Sequence, residues 1–183
     1  MPYIDHILQE TLRMYPTLSN LTRRTMNDYQ VPGTNDVIQK GLMVVIPIFA
    51  IQRDSRYYAD PEKFSPDRFD GEEAKQRNSM LWLPFGEGPR SCIAARFGMM
   101  QARIGLVTIL NNFEVSIGER TEITYEPNPL ALTPKGGIYL KFKAINPNAF
   151  NMNVQKSLKR SEPLAHIVLH SLSSMGLVAP ILR

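Results

Sequence analysis

Hydrophobic positions recur at helical spacing near the start of the chain. Ile4, Ile7, Leu8, Thr11 and Tyr15 form one apolar stripe, predicting a helix over 4–15 with Glu10 and Arg13 three apart on another face. Pro16 ends it, because the residue before a proline is driven out of the α region. A second helical stripe runs through Ile93, Phe97, Met100, Ile104 and Val107. Between them, Val31 to Ile48 reads as short strands with turns at Pro32-Gly33 and Lys40-Gly41, and Pro47 sets the last strand at a sheet edge or a bulge. Ile138, Leu140, Phe142 and Ala144 alternate with Tyr139, Lys141 and Lys143, the period of a half-buried strand. Asp60 to Phe69, with two prolines and mixed charge, suits an ordered meander. Both apolar stripes need something to cover them, so the segment alone is expected to be unstable.

Past Asn146 the pattern changes. Asparagines crowd positions 146–153, and an apolar end follows a basic patch. His166 and His170 are four apart with only Ile167-Val168-Leu169 between them, so the metalloprotease pattern is absent. Residues 147–183 read as an atypical, poorly ordered tail after a portion spanning 1–146. Of the net charge of +4, the tail carries +3, from Lys156, Lys159, Arg160 and Arg183 against Glu162. The excess is local and makes no nucleic-acid footprint. No run of about 20 apolar residues spans a membrane, and Met1-Pro2-Tyr3-Ile4-Asp5 already lies within the helical pattern rather than a signal peptide.

The chemistry concentrates in Phe85-Gly86-Glu87-Gly88-Pro89-Arg90-Ser91-Cys92, which holds the only cysteine of 183 residues and opens the second helix. Glycines let the backbone approach a flat ligand closely. Arg90 is near enough to meet an anionic group on it. A single sulfur at such a loop reads as a ligand to iron, and a coordinating thiol is deprotonated outright. A buried inert cysteine is the plain alternative. A metal-free cysteine enzyme fits poorly, since His6, His166 and His170 all lie far away in the chain. Gly86 and Gly88 have neither Walker nor Rossmann spacing.

Three motifs in order resemble the cytochrome P450 superfamily. Glu10-Thr11-Leu12-Arg13 resembles its ExxR signature, Phe64 to Phe69 its downstream arginine motif, and Phe85 to Cys92 its haem-ligand loop. The phrasing is closest to microsomal animal members, including insect detoxification enzymes. The resemblance implies a mainly α fold with small β-sheets, here the truncated C-terminal part from the ExxR helix to the haem-ligand helix. It implies Cys92 as the axial iron ligand, Arg90 and Arg23 on haem propionates, with adjacent Arg24 the alternative to Arg23, and Phe85, Gly86 and Ala94 against the cofactor. It further implies that Glu10, Arg13 and Arg68 form a buried structural charge triad that fixes the meander beneath the haem. Ala94 stands where the family usually has glycine, so haem affinity is expected to be weakened. Thr17–Leu21 and Leu130–Leu132 correspond to pocket-lining segments.

By the same resemblance the activity is that of a haem-thiolate monooxygenase acting on lipophilic substrates. Electrons come from an NADPH-dependent reductase that docks near Arg96 and Lys75. The location is the cytosolic face of the endoplasmic reticulum membrane, reached through a missing N-terminal anchor. The oxygen-activating helix with its acid–alcohol pair is also absent, so no catalytic residue falls in the chain. A non-catalytic remnant or weak haem binder is the alternative.

Overall fold

The computed structural model describes residues 2–118, 124–125 and 131–145. Helix α1 (Pro2–Met14) is followed by strands β1 (Leu21–Arg24), β2 (Tyr29–Gln30), β3 (Val37–Ile38) and β4 (Met43–Ile46), and then the short helix α2 (Ile48–Ile51). A meander with a 3₁₀ turn at Pro66–Phe69 leads into α3 (Gly71–Gln76). The cysteine loop, the long helix α4 (Ala95–Asn112) and strands β5 (Phe113–Ile117) and β6 (Leu140–Ala144) complete the order. The strands pair antiparallel as β1–β4, β2–β3 and β5–β6, each a two-stranded sheet. The meander takes neither helix nor strand before the 3₁₀ turn, and its Asp60 adopts a left-handed φ of 47°.

The core is the crossing of α1 and α4. Ile4, Ile7, Leu8 and Leu12 pack against Ala102, Leu106 and Leu110, with Phe64, Trp82, Phe85 and Val107 around them. Here the sequence pattern is corrected twice. First, the face that carries Glu10 and Arg13 is as enclosed as the apolar one: both are fully buried, as the triad implied by the resemblance requires, and α1 is covered on nearly every side. Second, α4 does not turn its bulky stripe inward. Ile93, Phe97, Met100 and Ile104 are 104%, 52%, 44% and 58% exposed, while Gly98, Ala102, Leu106 and Leu110 are buried. Small residues at 98 and 102 let the helices and the loop approach closely, and that row outcompetes the larger one. Of the two stripes that needed cover, the one on α1 receives it from the described residues, whereas on α4 only Val107 does.

Two smaller differences concern the boundaries. The helix after the cysteine begins at Ala95, leaving Cys92 in a turn just outside, where its carbonyl accepts from Ala95 N–H at 3.2 Å. In β6, Leu140 joins the core, but Phe142 is 51% exposed and meets Phe113 edge-on at 5.8 Å. The tail from 147 onward, with His166 and His170, lies outside the described residues.

The end of α1 shows how Pro16 can stop a helix at a buried position. Terminal carbonyls of a helix lack intrahelical donors and must be met from elsewhere. Thr11 O accepts from Tyr15 N–H. Leu12 O and Arg13 O accept from Gln52 Nε2 at 3.1 and 2.9 Å, and Met14 O accepts from Arg53 Nη2 at 2.8 Å. Arg53 also lies over the Tyr15 and Phe49 rings and pairs with Glu62.

Tyr125 packs against Tyr15 with ring centroids 6.4 Å apart, and its hydroxyl is buried without a hydrogen-bond partner among the described residues. Burial pushes its pKa from 10.0 up to about 12, only partly opposed by Arg53. The folded state therefore keeps a proton that the unfolded chain releases above pH 10, so stability is full below that pH and falls as pH rises towards 12. Partial exposure holds the slope below about 1.4 kcal/mol per pH unit. Tyr125→Phe is expected to leave stability at neutral pH unchanged or slightly raised, since an orphaned hydroxyl is removed. It should also flatten the alkaline decline in urea midpoints between pH 10 and 12, and an unchanged decline would contradict the assignment to Tyr125.

Candidate haem-thiolate site

The site is assembled on a buried carboxylate. Glu10 Oε2 accepts from Arg13 Nε at 2.6 Å and Oε1 from Arg13 Nη2 at 2.9 Å, a fork-to-fork pair. Oε1 also accepts from Arg68 Nε at 3.0 Å and from the Ser65 backbone N–H at 2.9 Å. The structure thus brings Glu10, Arg13 and Arg68 together, although Arg68 is distant in sequence. Two guanidinium charges face one carboxylate, and carbonyl dipoles offset the excess. Arg13 donates to Gln52 O and Pro61 O, both at 2.8 Å, and Arg68 to Ala59 O and Lys63 O at 3.0 and 3.2 Å. The Tyr58 ring is sandwiched between Arg13 and Arg77, each 5.1 Å from its centroid, and its hydroxyl donates to Leu81 O at 2.8 Å. Desolvation raises the Tyr58 pKa, partly countered by Arg77 and Arg13. Arg77, Tyr58, Gln52 and Arg53 went unnoticed in the sequence pattern; only the topology reveals them, since each acts on residues remote in the chain.

The cysteine loop is hung from this base. Trp82 Nε1 donates to Gln9 O at 3.1 Å, and the indole meets Phe85 and Phe69 edge-on, with both pairs of centroids 6.3 Å apart. Leu83 N–H donates to Gln52 Oε1 at 2.7 Å. The chain then turns through Gly86 and Gly88 with φ of 71° and 80°, values that favour glycine. Cys92 N–H closes the loop on Phe85 O at 2.8 Å. Phe85 is half-buried against α4, where a Cβ on Gly98 would sit 4.0 Å from its ring. Ala94 is half-buried, and its carbonyl accepts the Gly98 N–H at 2.8 Å.

Other candidate residues fall around the loop. Leu21 Cδ1 lies 3.6 Å from where a Gly86 Cβ would be, so the inner face of β1 meets the loop. Arg23 shares that face by strand alternation and is half-buried, while Arg24 is exposed. Its Nη1 donates to Thr22 O at 2.9 Å. Arg90 is exposed at the end of the 3₁₀ turn Gly88–Arg90. Leu18 and Ala131 form an antiparallel bridge, which joins the two segments expected from the resemblance to line a pocket; Leu130 lies outside the described residues. Arg96 and Lys75 are exposed, and Lys75 is paired with Glu72.

The donor set suits a macrocyclic cofactor. Cys92 is a free, half-buried thiol rather than a residue sealed in the core. Among the described residues no three or more His, Cys, Asp or Glu gather as metal ligands. With no such cluster among the described residues, Cys92 fits a metal that brings its remaining donors with it, as iron in a porphyrin does. The uncovered stripe beginning at Ile93 supplies an apolar surface beside the thiol.

Comparison with known proteins now gives the class. The cytochrome P450 family model matches residues 1–142, and the chain belongs to that family. Cytochrome P450 6A1 of Musca domestica is 48% identical over 150 residues, covering 79% of this chain and 30% of the relative. Cytochrome P450 6a2 of Drosophila melanogaster is 48% identical over 148 residues, covering 79% and 29% respectively. The crystal structure of the cytochrome P450DA heme domain superposes with a TM-score of 0.70 at 27% identity, over 79% of this chain and 31% of that one. The chain thus spans about 30% of the length of these curated relatives. Family membership implies haem as the cofactor. No helix among the described residues is long and apolar enough to cross a membrane.

The triad geometry ranks its members. Arg13→Met removes both arms of the fork, takes from Glu10 Oε2 its Arg13 donor in a dry site, and is expected to cost about 3–5 kcal/mol. Arg68→Met leaves the Arg13 fork intact at a position 12% exposed, so its loss should be smaller. Urea unfolding at unchanged slope would measure both. Equal losses would show that the fork carries no special weight.

Proposed function

We propose that the chain is the haem-anchoring portion of a haem-thiolate monooxygenase that acts on small lipophilic compounds. The observation that carries the reading is the single thiol, half-exposed at the mouth of a loop closed by its own amide and flanked by an uncovered apolar stripe. When bound, haem supplies the redox chemistry by which one oxygen atom enters the substrate and the other leaves as water.

The chain's own groups bind and position. Cys92 Sγ is the protein ligand to iron, and the Cys92 N–H bond to Phe85 O fixes the backbone from which the sulfur projects. Phe85, Ile93 and Phe97 offer apolar surface that excludes water from the sulfur side. Gly86 and Gly88 carry no side chain to obstruct a flat ring, and the Ala94 methyl crowds it slightly. Arg90 and Arg23 supply cations for the cofactor's carboxylates, with Arg23 favoured over Arg24 by its inward face. Leu18, Leu21, Ala131 and Leu132 border the substrate side. Electrons arrive from an NADPH-dependent reductase at the endoplasmic reticulum membrane. Arg96 bears more of that docking than Lys75, whose charge Glu72 offsets.

Haem titration of the whole chain tests the ligand. Wild type is expected to show the thiolate-type ferrous carbon monoxide difference spectrum and Cys92→Ser to lose it. Identical spectra would refute the assignment of iron to the sulfur, leaving at most a nonspecific haem binder. Ala94→Gly relieves the crowding and should tighten haem retention by roughly tenfold or less. Unchanged retention would remove the crowding argument.

A further inference from the structure

Gln52 is fully buried, and its side chain joins three backbone groups from two separate parts of the fold. Nε2 donates to Leu12 O and Arg13 O, while Oε1 accepts from Leu83 N–H at 2.7 Å. Its own carbonyl accepts from Arg13 Nη1 at 2.8 Å, so residue 52 and Arg13 hold each other reciprocally. Only a neutral amide offers two donors and an acceptor at one side-chain end without burying a charge. From Leu83 the bonds continue towards the thiol. Leu83 O accepts from Gly86 N–H at 3.0 Å, and Phe85 O accepts from Cys92 N–H at 2.8 Å. Leu83 is 5% exposed and Pro84, which follows it, is also buried, so no water stands ready to replace the amide.

We infer that Gln52 is a positioning residue for Cys92: its side-chain amide fixes the start of the cysteine loop, through Leu83, against the end of the helix that carries Glu10 and Arg13. The spectroscopic consequence rests on the haem-thiolate reading of Cys92; the backbone restraint does not. Gln52→Met keeps the volume and removes all three side-chain bonds, whereas Gln52→Glu, kept protonated by burial, retains an oxygen that accepts from Leu83 N–H and a hydroxyl that donates to one helix carbonyl. Ser65, whose N–H donates to Glu10 Oε1, reports on the triad independently.

Amide hydrogen exchange on the whole chain reads the restraint directly. In Gln52→Met the Leu83 amide is expected to exchange roughly tenfold faster or more, with Ser65 unchanged. Gln52→Glu should restore protection at Leu83. After addition of haem, Gln52→Met should weaken the thiolate-type spectrum and Gln52→Glu should recover it. Unchanged Leu83 exchange in Gln52→Met would overturn the inference. So would joint loss of protection at Leu83 and Ser65 in both variants, which would make Gln52 a general stabiliser. Spectra equal across wild type and both variants would overturn its role towards the sulfur. If wild type and Cys92→Ser have the same spectrum, the haem-thiolate reading fails, and the exchange result still decides whether Gln52 holds the loop.

Discussion

A carboxylate removed from water has to be met on both oxygens by groups that cannot leave, and Glu10 is met by Arg13, Arg68 and the Ser65 amide. An unpaired charge in that position would cost several kcal/mol, so the partners are effectively obligatory. They come from the same helix, from a 3₁₀ turn beyond the meander, and from the backbone just before that turn. Glu10 therefore specifies where a stretch with little regular structure of its own must lie. Carbonyls at 52, 59, 61 and 63 complete the guanidinium shells, so the meander is drawn in as an acceptor as well.

That constraint explains how a loop presenting one sulfur can be held without a sheet or disulfide beneath it. The Trp82 bond to Gln9 and the Leu83 bond to Gln52 tie the approach to the loop to the same helix that carries the triad. Positive-φ glycines then reverse the chain, and the Cys92–Phe85 bond closes it. If Cys92 ligates a metal as proposed, such preorganised backbone would hold the sulfur in place while the metal changes charge.

Much of the site was legible in the sequence because it depends on residue types at short spacing. The glycines and the lone cysteine between 86 and 92 announced a tight loop at the start of a helix, and Glu10 with Arg13 announced a paired charge. What local pattern could not show was that this pair is buried, since a solvated i,i+3 pair looks the same. The second helix misled for a different reason. Its larger apolar residues make the more obvious stripe, but Gly98 and Ala102 allow closer approach, and packing follows distance as much as hydrophobicity. Gln52 left no signal, because a glutamine ending a short apolar run reads as an ordinary helix terminus.

The exposed stripe and the enclosed helix also divide the molecule's physics between two tasks. On α1, apolar contact with α4 and polar contact with the meander coincide, so the faces of that helix are used up internally. On α4, the inward row satisfies the fold while Phe97, Met100 and Ile104 remain at the surface, with Ile93 next to the thiol. Apolar area of that size beside a ligating sulfur is costly in water and favourable against a flat hydrophobic ring. The same side chains that leave the segment incompletely covered would therefore, on the proposed reading, favour a flat apolar ring held at Cys92.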